Sequence, residues 1–411
     1  MLASLAWSSL ASRRKSVLLT FLSLLISISV LISVEQIRVQ AKESFNRTIS
    51  GVDLIVGAPS GQLNLVLYSV FRLGSPNNNI KYQSFEALKN SKDVAWAIPI
   101  SLGDSHRGFR VMGTDASYFS HYKYGDKRAL RFSSGQVFVS LFETVIGADV
   151  ARKFNYKVGD KIVVAHGIGS ISFNHHERTP FVVSGIIEPT GTPVDKTVHV
   201  SLKAIEAIHL SPAQQQQLMT DESSAALTPE SVTAVLVGLK SKLATFKLQR
   251  GVNSYQEDRL MAILPGVAMA ELWQMIASIE NVLRAIGILV LISSLFGLST
   301  MLLASMHQRK NEIAVLRVLG AGPIVIFTLV QLEALILVVL AIITALGMVY
   351  LSIIFATDWL ASHYGLFLNA NLLDWQVVGI IGVTIIATLA TSAIPAFEAY
   401  KNALHSTLSG R

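Results

Sequence analysis

One short run of metal-binding and acid–base residues, His175-His176-Glu177, lies in the middle of the sequence. Imidazole and carboxylate groups bind zinc, and a metalloprotease helix places two histidines four residues apart so that both face the ion. Adjacent residues point in different directions on a helix or a strand, so this run lacks that geometry. We interpret it as a solvated loop, with a metal or ligand contact at His175 or His176 as the open alternative.

A second run, over residues 103–108, places an acid, a hydroxyl and an imidazole side by side at Asp104, Ser105 and His106. A hydrolytic triad uses the same groups but brings them together from separate segments of the chain. Glycine and aspartate favour a turn in which the carboxylate bonds the nearby backbone. The sequence therefore predicts a turn here, and contact of His106 with a metal or ligand stays open.

No nucleotide-binding or nucleophile motif accompanies these runs. The phosphate-binding pattern Gly-x-x-x-x-Gly-Lys-Ser/Thr and the nucleophile elbow Gly-x-Ser-x-Gly are both absent. The chain has no cysteine, which excludes thiolate zinc sites, iron–sulfur clusters and disulfides. Its net charge of +7 is spread along the chain rather than concentrated. We therefore expect a non-catalytic chain without a metal or cofactor of its own and without a nucleic-acid partner.

The composition is that of a membrane protein: 51% of the 411 residues are hydrophobic, only 15% are charged, and the mean hydropathy is +0.49. About 20 apolar residues in a helix cross a hydrocarbon layer of roughly 30 Å. Apolar stretches of that length predict four membrane-spanning helices, at residues 16–34, 282–306, 323–355 and 377–395. The predicted order is one helix, a large domain over residues 35–281, and then three helices.

Lysines and arginines that flank the spans predict their orientation. They occur before the first span (Arg13, Arg14, Lys15), after the second (Arg309, Lys310, Arg317) and after the fourth (Lys401, Arg411), whereas the loop over residues 356–376 has none. Positively charged flanks are retained in the cytoplasm. Residues 1–15, 307–322 and 396–411 are therefore predicted to be cytoplasmic, and residues 35–281 and 356–376 to be extracytoplasmic.

The N-terminal residues 1–15 precede the first span and carry apolar side chains at helical spacing, at Leu2, Leu5, Ala6 and Leu10, together with Trp7. This spacing predicts a short amphipathic helix along the cytoplasmic membrane surface, and a disordered terminus is the alternative. The first span could also be a cleaved signal peptide, but its apolar run is long for such a segment. We favour a retained span.

The large domain alternates short β-type runs with polar turns, which predicts a two-lobed α+β fold. The predicted strands are residues 53–57, 94–100, 109–113, 161–165, 181–187, 197–202 and 232–239. Helices are expected at 82–90, 147–154 and 203–209, and residues 211–230 are predicted to be strand-free.

Glu333 is the one acid well inside a predicted span, and Gln331 lies beside it. Ionisable residues are costly there and usually face the interior of a helix bundle. We favour a structural role in which Glu333 accepts a hydrogen bond from a hydroxyl of the second span, and a coupling role is the alternative. The candidate hydroxyls are those of Ser293, Ser294, Ser299 and Thr300.

Residues 307–322, after the second span, have the pattern of a short amphipathic helix. Apolar side chains at Ile313, Leu316 and Leu319 form a stripe, and Gly320 ends the helix. Arg309, Glu312 and Arg317 lie on its other faces. Such a helix fits into a groove of a partner protein.

At this segment the sequence resembles the MacB/FtsX permeases, the type VII ABC transporters. The matching positions are 312–314, 316–317 and 319–321, and the basic N-terminus and the one-plus-three helix order also agree. The tail over 394–399 follows the family pattern but lacks the second proline that members often have.

The resemblance implies a permease subunit in the bacterial inner membrane that couples ATP hydrolysis to movement of its periplasmic domain, for export, extraction or mechanotransmission. ATP and Mg²⁺ are then bound by a separate cytoplasmic ATPase that docks on Arg309, Glu312, Ile313, Leu316, Arg317, Leu319 and Gly320. A second permease chain completes a homo- or heterodimer in contact with membrane lipid. The resemblance also allows a periplasmic accessory protein as a further partner.

Residues 267–280 are helical in pattern and lead directly into the second span, so Ile276 is predicted to lie on a helix that transmits motion. A different class of function stays open, namely a membrane-anchored receptor or regulatory scaffold that has no ATPase. An adjacent open reading frame with a phosphate-binding loop would favour the transporter.

Overall fold

The computed structural model describes residues 2–125, 127–167, 179–220, 227–308, 315, 318, 320–364 and 374–408. The chain divides into two compact units. The first, a helical unit, comprises Met1–Gln40, Ile276–Thr357 and Leu368–Arg411. The second, an α+β domain, comprises Ala41–Met275 with Asp358–Phe367.

The helices are α1 (Leu2–Ser12), α2 (Arg14–Thr48), α3 (Gln62–Ser69), α4 (Tyr82–Lys89), α5 (Ser117–His121), α6 (Ala148–Phe154), α7 (Leu202–Ile208), α8 (Pro212–Thr220), α9 (Thr245–Asn253), α10 (Pro265–Gln308), α11 (Pro323–Tyr364) and α12 (Trp375–Leu408). Four of them are long and apolar enough to cross a membrane: Arg14–Gln40, Pro265–Met306, Pro323–Ala356 and Trp375–Lys401. The predicted fold class, four spans in one-plus-three order with an α+β domain between the first two, is confirmed.

The last helix continues through Pro395 to Leu408, beyond the span predicted over residues 377–395. Proline has no amide hydrogen, so the carbonyl of Thr391, one turn earlier, loses its helical partner. Ser299 on α10 donates to that carbonyl at 3.0 Å. A hydroxyl from the neighbouring helix thus replaces the missing bond and stabilises the helix across the proline.

The strands of the domain are β1 (Leu54–Gly57), β2 (Ile80–Lys81), β3 (Val94–His106), β4 (Phe109–Thr114), β5 (Lys123–Tyr124), β6 (Arg128–Ala129), β7 (Phe132–Gly135), β8 (Glu143–Ile146), β9 (Lys161–Ile162), β10 (Ala165–His166), β11 (Phe181–Ile187), β12 (Thr197–Ser201), β13 (Ser231–Val232), β14 (Ala234–Leu239) and β15 (Met261–Ile263). Each predicted strand lies on one or two of these, and α4, α6 and α7 lie where helices were predicted. Local alternation of apolar residues therefore identified the main elements.

An 11-stranded mixed sheet runs through the domain in the order β15-β1-β14-β3-β4-β12-β8-β11-β7, with β10 paired to β3 and β9 paired to β11. The long strand β3 joins its two parts, because residues 94–100 pair with β14 and residues 101–106 pair with β4. The neighbours β8 and β11, and likewise β4 and β12, are parallel, whereas the other pairs are antiparallel. This mixed order is not visible in the strand pattern itself.

The prediction of a turn over residues 103–108 is wrong for residues 103–106, and only Arg107 and Gly108 form a turn. Asp104, Ser105 and His106 belong to β3, with a register shift between Leu102 and Ser105 where β10 pairs with them. His106 is buried, with Nδ1 2.6 Å from the Val163 carbonyl and Nε2 3.0 Å from the Tyr156 hydroxyl. Burial lowers the pKa of His106. Its ring nitrogens are thus occupied by protein groups, and the histidine has a structural role.

His199 on β12 is the most strongly perturbed histidine of the described domain. Its side chain is 0% exposed, packs on Tyr118 and Phe119, and has Nδ1 3.2 Å from the Val145 carbonyl. Burial first, and the positive charge of Arg72 second, lower the pKa of His199 to about 3. Between pH 6.5 and about pH 3 the imidazole therefore stays neutral in the folded domain, whereas an unfolded chain protonates it.

We expect the domain to lose stability as the pH falls from 6.5 towards 3, because only the unfolded state gains the proton of His199 in that window. The loss is about 1.4 kcal/mol per pH unit. In His199→Phe the midpoint of thermal unfolding, followed on the full chain in detergent between pH 7 and pH 4, should fall less steeply than in the wild type. His209→Gln, at an exposed histidine, is the control. Parallel curves for wild type and His199→Phe would contradict this account.

Candidate functional site

The carboxylate of Glu333 on α11 lies inside the helical unit and is 0% exposed. The Ser9 hydroxyl of α1 donates to its Oε1, and Arg13 Nη2 lies 3.2 Å from its Oε2. Arg13 Nη2 also donates to Ser9 Oγ at 2.9 Å. These three side chains, here termed the N-terminal clasp, pair the buried charge and fasten α1 to the third span.

The sequence favoured serines of the second span as partners of Glu333, and the structure directs these bonds to α1 instead. Ser294 is 2.9 Å from the hydroxyl of Ser23 and 2.7 Å from that of Ser27, both on α2. The Ser299 hydroxyl donates to the Thr391 carbonyl. The reason is that α1 buries Ala6 and Leu10 in the unit. Ser9 on α1 and Arg13, directly after α1, thereby meet α11, and their i, i+4 spacing was the signal that could have identified them.

Gln331 on the same helix faces the other way. Its Nε2 donates to the Leu389 carbonyl at 3.2 Å, and its Oε1 accepts from the Ser392 hydroxyl at 2.8 Å. Two residues along a helix are separated by about 200°, so Gln331 and Glu333 contact different neighbours. The third span is therefore held to α12 on one side and to α1 on the other by polar groups.

We expect Glu333→Gln to destabilise the helical unit, because it leaves the Arg13 guanidinium without a counter-charge. Removing one partner of a buried ion pair costs on the order of 3 kcal/mol, whereas replacing both by apolar residues costs much less. The double variant Arg13→Met, Glu333→Leu is the matched comparison. Thermal unfolding of the purified chain in detergent should rank the wild type and the double variant above Glu333→Gln. Equal midpoints for Glu333→Gln and the wild type would show that the clasp is not stabilising.

At the opposite end of the first two spans the structure contains an ion network that the sequence analysis missed. Glu35 is 4% exposed and accepts from Arg38 Nη1 at 2.6 Å and from Arg284 Nη2 at 2.8 Å. Arg38 Nε also bonds Glu280 at 3.0 Å. The signal was an acid directly after one span and an arginine at the edge of the next. The network fixes α2 against α10.

Two further contacts continue this seam between α2 and α10. Gly287 is so close to Leu31 that a Cβ at the glycine would lie 2.6 Å from the leucine Cδ2. Ser294 bonds Ser23 and Ser27 deeper along the same seam. Small residues let helices approach closely in a membrane, and hydroxyls bond across the contact. The two helices are thus joined over several turns.

Ile276, the predicted transmission residue, is half-buried on α10. The helix is continuous over 44 residues, Pro265–Gln308. Its first turn contributes Ala268 and Met269 to a core of the domain. Its later turns contribute Leu291 and Leu295 to the core of the helical unit. Ile276 therefore lies on an unbroken helix, as its sequence pattern predicts.

Most of the predicted ATPase-coupling residues, namely Arg309, Glu312, Ile313, Leu316, Arg317 and Leu319, lie outside the described residues, as do His175, His176 and Glu177. Within the segment, Val315 and Val318 are helical and are 60% and 88% exposed. Gly320 has φ +98°, a conformation that favours glycine and ends a helix. Across the described part of the chain, no three His, Asp or Glu side chains are grouped as metal ligands would be.

Two family models match the sequence. A MacB-like periplasmic core domain matches residues 17–254, and an FtsX-like permease C-terminal domain matches residues 284–404. The chain belongs to the MacB/FtsX family of permeases. It is therefore an ABC transporter permease, a multi-pass membrane protein whose domain between the first two spans is of the MacB periplasmic type.

Solved structures include two similar domains. The periplasmic region of MacB from Actinobacillus actinomycetemcomitans has a TM-score of 0.33 at 11% identity, over 55% of this chain and 94% of that chain. The extracellular domain of the noncanonic ABC-type transporter YknZ from Gram-positive bacteria has a TM-score of 0.29 at 14% identity, over 52% of this chain and 99% of that chain. No curated protein matches the permease.

Proposed function

We propose that this permease transmits the work of a separate cytoplasmic ATPase to its periplasmic domain. The observation that carries the proposal is the continuous helix α10, which joins the domain to the second span and ends at Gln308, where the predicted coupling segment begins. A helix is stiff along its axis because each turn is hydrogen-bonded to the next. Displacement of the coupling segment can therefore act at the far end of α10.

The seam between α2 and α10 supports the same mechanism. A helix moved alone would shear past its neighbour, but the network of Glu35, Arg38 and Arg284 and the close approach at Gly287 join the two. The two helices then move together. Both helices extend into the domain: α10 begins there at Pro265, and α2 ends there at Thr48. The Tyr122 hydroxyl donates to the Thr48 carbonyl at 2.5 Å.

A dimer follows from the small number of spans. Four helices are too few to enclose a polar path across the membrane. A second permease chain, identical or related, therefore completes the assembly in the inner membrane. ATP and Mg²⁺ bind to the ATPase partner and not to this chain. The work serves export, extraction or mechanotransmission by the periplasmic domain.

Affinity purification of the full-length chain from membranes of its own host tests the proposal. We expect a P-loop ATPase to co-purify in stoichiometric amount, and the complex to hydrolyse ATP. The chain has no cysteine, so a single introduced cysteine can report a neighbouring permease copy by cross-linking. A permease that purifies without any ATPase would favour the receptor or scaffold instead.

A further inference from the structure

A cavity of about 360 Å³ opens where the N-terminal segment meets the end of α10. We term it the junction cavity. Residues that line it include Arg13, Arg14, Lys15 and Ser16 from the α1–α2 junction, and Ser305 and Gln308 from α10. Among the residues that the structure describes, the lining includes three consecutive cations and no acid. This composition suits an anionic ligand.

Two side chains at the junction cavity, those of Ser305 and Arg13, carry buried hydrogen-bond donors without an acceptor among the described residues. Ser305 is 2% exposed, and its hydroxyl has no partner among the residues that the structure describes. The same holds for Nε and Nη1 of Arg13, whose Nη2 is engaged in the N-terminal clasp. Buried donors without acceptors are unfavourable. A ligand that brings oxygen acceptors into the cavity would satisfy them.

The start of α2 adds further donors. Its first backbone bond runs from the Val17 amide to the Arg13 carbonyl at 3.1 Å, so the amides of residues 14–16 come before it. Amides in the first turn of a helix lack helical partners and carry partial positive charge. Glu333 already balances Arg13, whereas the exposed Arg14 and Lys15 have no ion-pair partner within the described part of the chain. The cavity therefore combines cationic side chains with helix amides.

The position of the cavity identifies the source of the anion. Arg14 begins the first membrane-length helix and Met306 ends the second, so the cavity lies at the boundary of the hydrocarbon layer. On the adjacent α1, Trp7 is 57% exposed and Leu2 is 38% exposed, whereas Ala6 and Leu10 are buried. Tryptophan at a membrane boundary anchors a helix among lipid headgroups. The cytoplasmic leaflet, where this end is predicted to lie, is rich in anionic lipid.

We propose that the junction cavity binds the phosphate of an anionic phospholipid headgroup. Arg14, Lys15 and the first amides of α2 supply the positive field, and Ser305 and Arg13 donate to the phosphate oxygens. Because Arg13 also bonds Glu333, a bound headgroup would contact a residue of the N-terminal clasp. This inference does not depend on the ATPase.

The test is native mass spectrometry of the full chain in detergent, titrated with phosphatidylglycerol or with phosphatidylcholine. We expect one tightly retained phosphatidylglycerol per chain and no retained phosphatidylcholine. Arg14→Gln with Lys15→Gln should weaken phosphatidylglycerol binding about 30-fold, at roughly tenfold or less per charge removed. Ser305→Ala should weaken it about tenfold, as expected for the loss of a bond to a charged group.

Ser305→Ala leaves every flanking charge in place, so it separates headgroup binding from membrane orientation. Lys401→Gln, at an exposed cation outside the cavity, is the control and should bind phosphatidylglycerol as the wild type does. Equal retention of the two lipids, or unchanged binding in both cavity variants, overturns the proposal. Displacement of the lipid by inorganic phosphate at the same concentration also overturns it, because the site would then take soluble phosphate.

Discussion

Replacement of Leu316 and Leu319 together by aspartate should abolish co-purification of the ATPase while the permease stays inserted in the membrane. The two leucines are predicted to share the face of the coupling segment that fills the partner's groove. Central apolar anchors usually dominate an interface, and each costs 2 kcal/mol or more when lost, or about 30-fold in affinity. Two buried carboxylates without partners add a desolvation cost.

The matched control uses Val318 of the same segment, which is 88% exposed. On a helix Val318 lies about 160° from Leu316 and about 100° from Leu319. Val315 does not serve, because it lies one turn before Leu319 and shares its face. Val318→Asp adds one charge to the segment and should leave the ATPase bound, whereas Leu316→Asp adds the same charge and should release it. If Val318→Asp loses the ATPase and Leu316→Asp keeps it, the docking face is that of Val318 and our prediction is wrong.

Ile276→Pro should abolish function in cells while ATPase binding and basal hydrolysis persist. Proline at this position removes the bond from residue 276 to the carbonyl of Leu272 and clashes with the preceding turn, at a cost of about 3 kcal/mol of helix stability. The result is a hinge within α10, between its turns in the domain core and its turns in the span. Complementation of a deletion strain and ATP hydrolysis by the purified complex are the two measurements.

Ile276→Ala is the control, because it shortens the side chain without removing the backbone bond. The side chain is only half-buried, so we expect this variant to complement. Full complementation by a correctly inserted Ile276→Pro protein would exclude transmission through α10. A cargo pathway among the spans, near Glu333, would then be the better model.

The sequence alone predicts the elements whose signal is local. About 20 consecutive apolar residues identify a span wherever they occur in a chain. The strand at Phe181–Ile187 was predicted with its bounds because five of its seven residues are Phe, Val or Ile, which favour strands. The resemblance that led to the family likewise rests on a contiguous segment, residues 307–321.

Partners distant in sequence are decided only by the tertiary structure. Glu333 was expected to bond a hydroxyl of the second span, and it bonds Ser9, which is 324 residues away in the chain. Pro395 predicts the end of a helix from local sequence, yet the helix continues because the hydroxyl of Ser299 on another helix donates to the freed Thr391 carbonyl. His106 was predicted to lie in a turn, but it lies in β3, which pairs with β4 and β10. In each case the local conformational preference contributes only about 1 to 3 kcal/mol. A buried polar group without a partner costs about as much, so the contacts that a distant segment supplies can override the local preference.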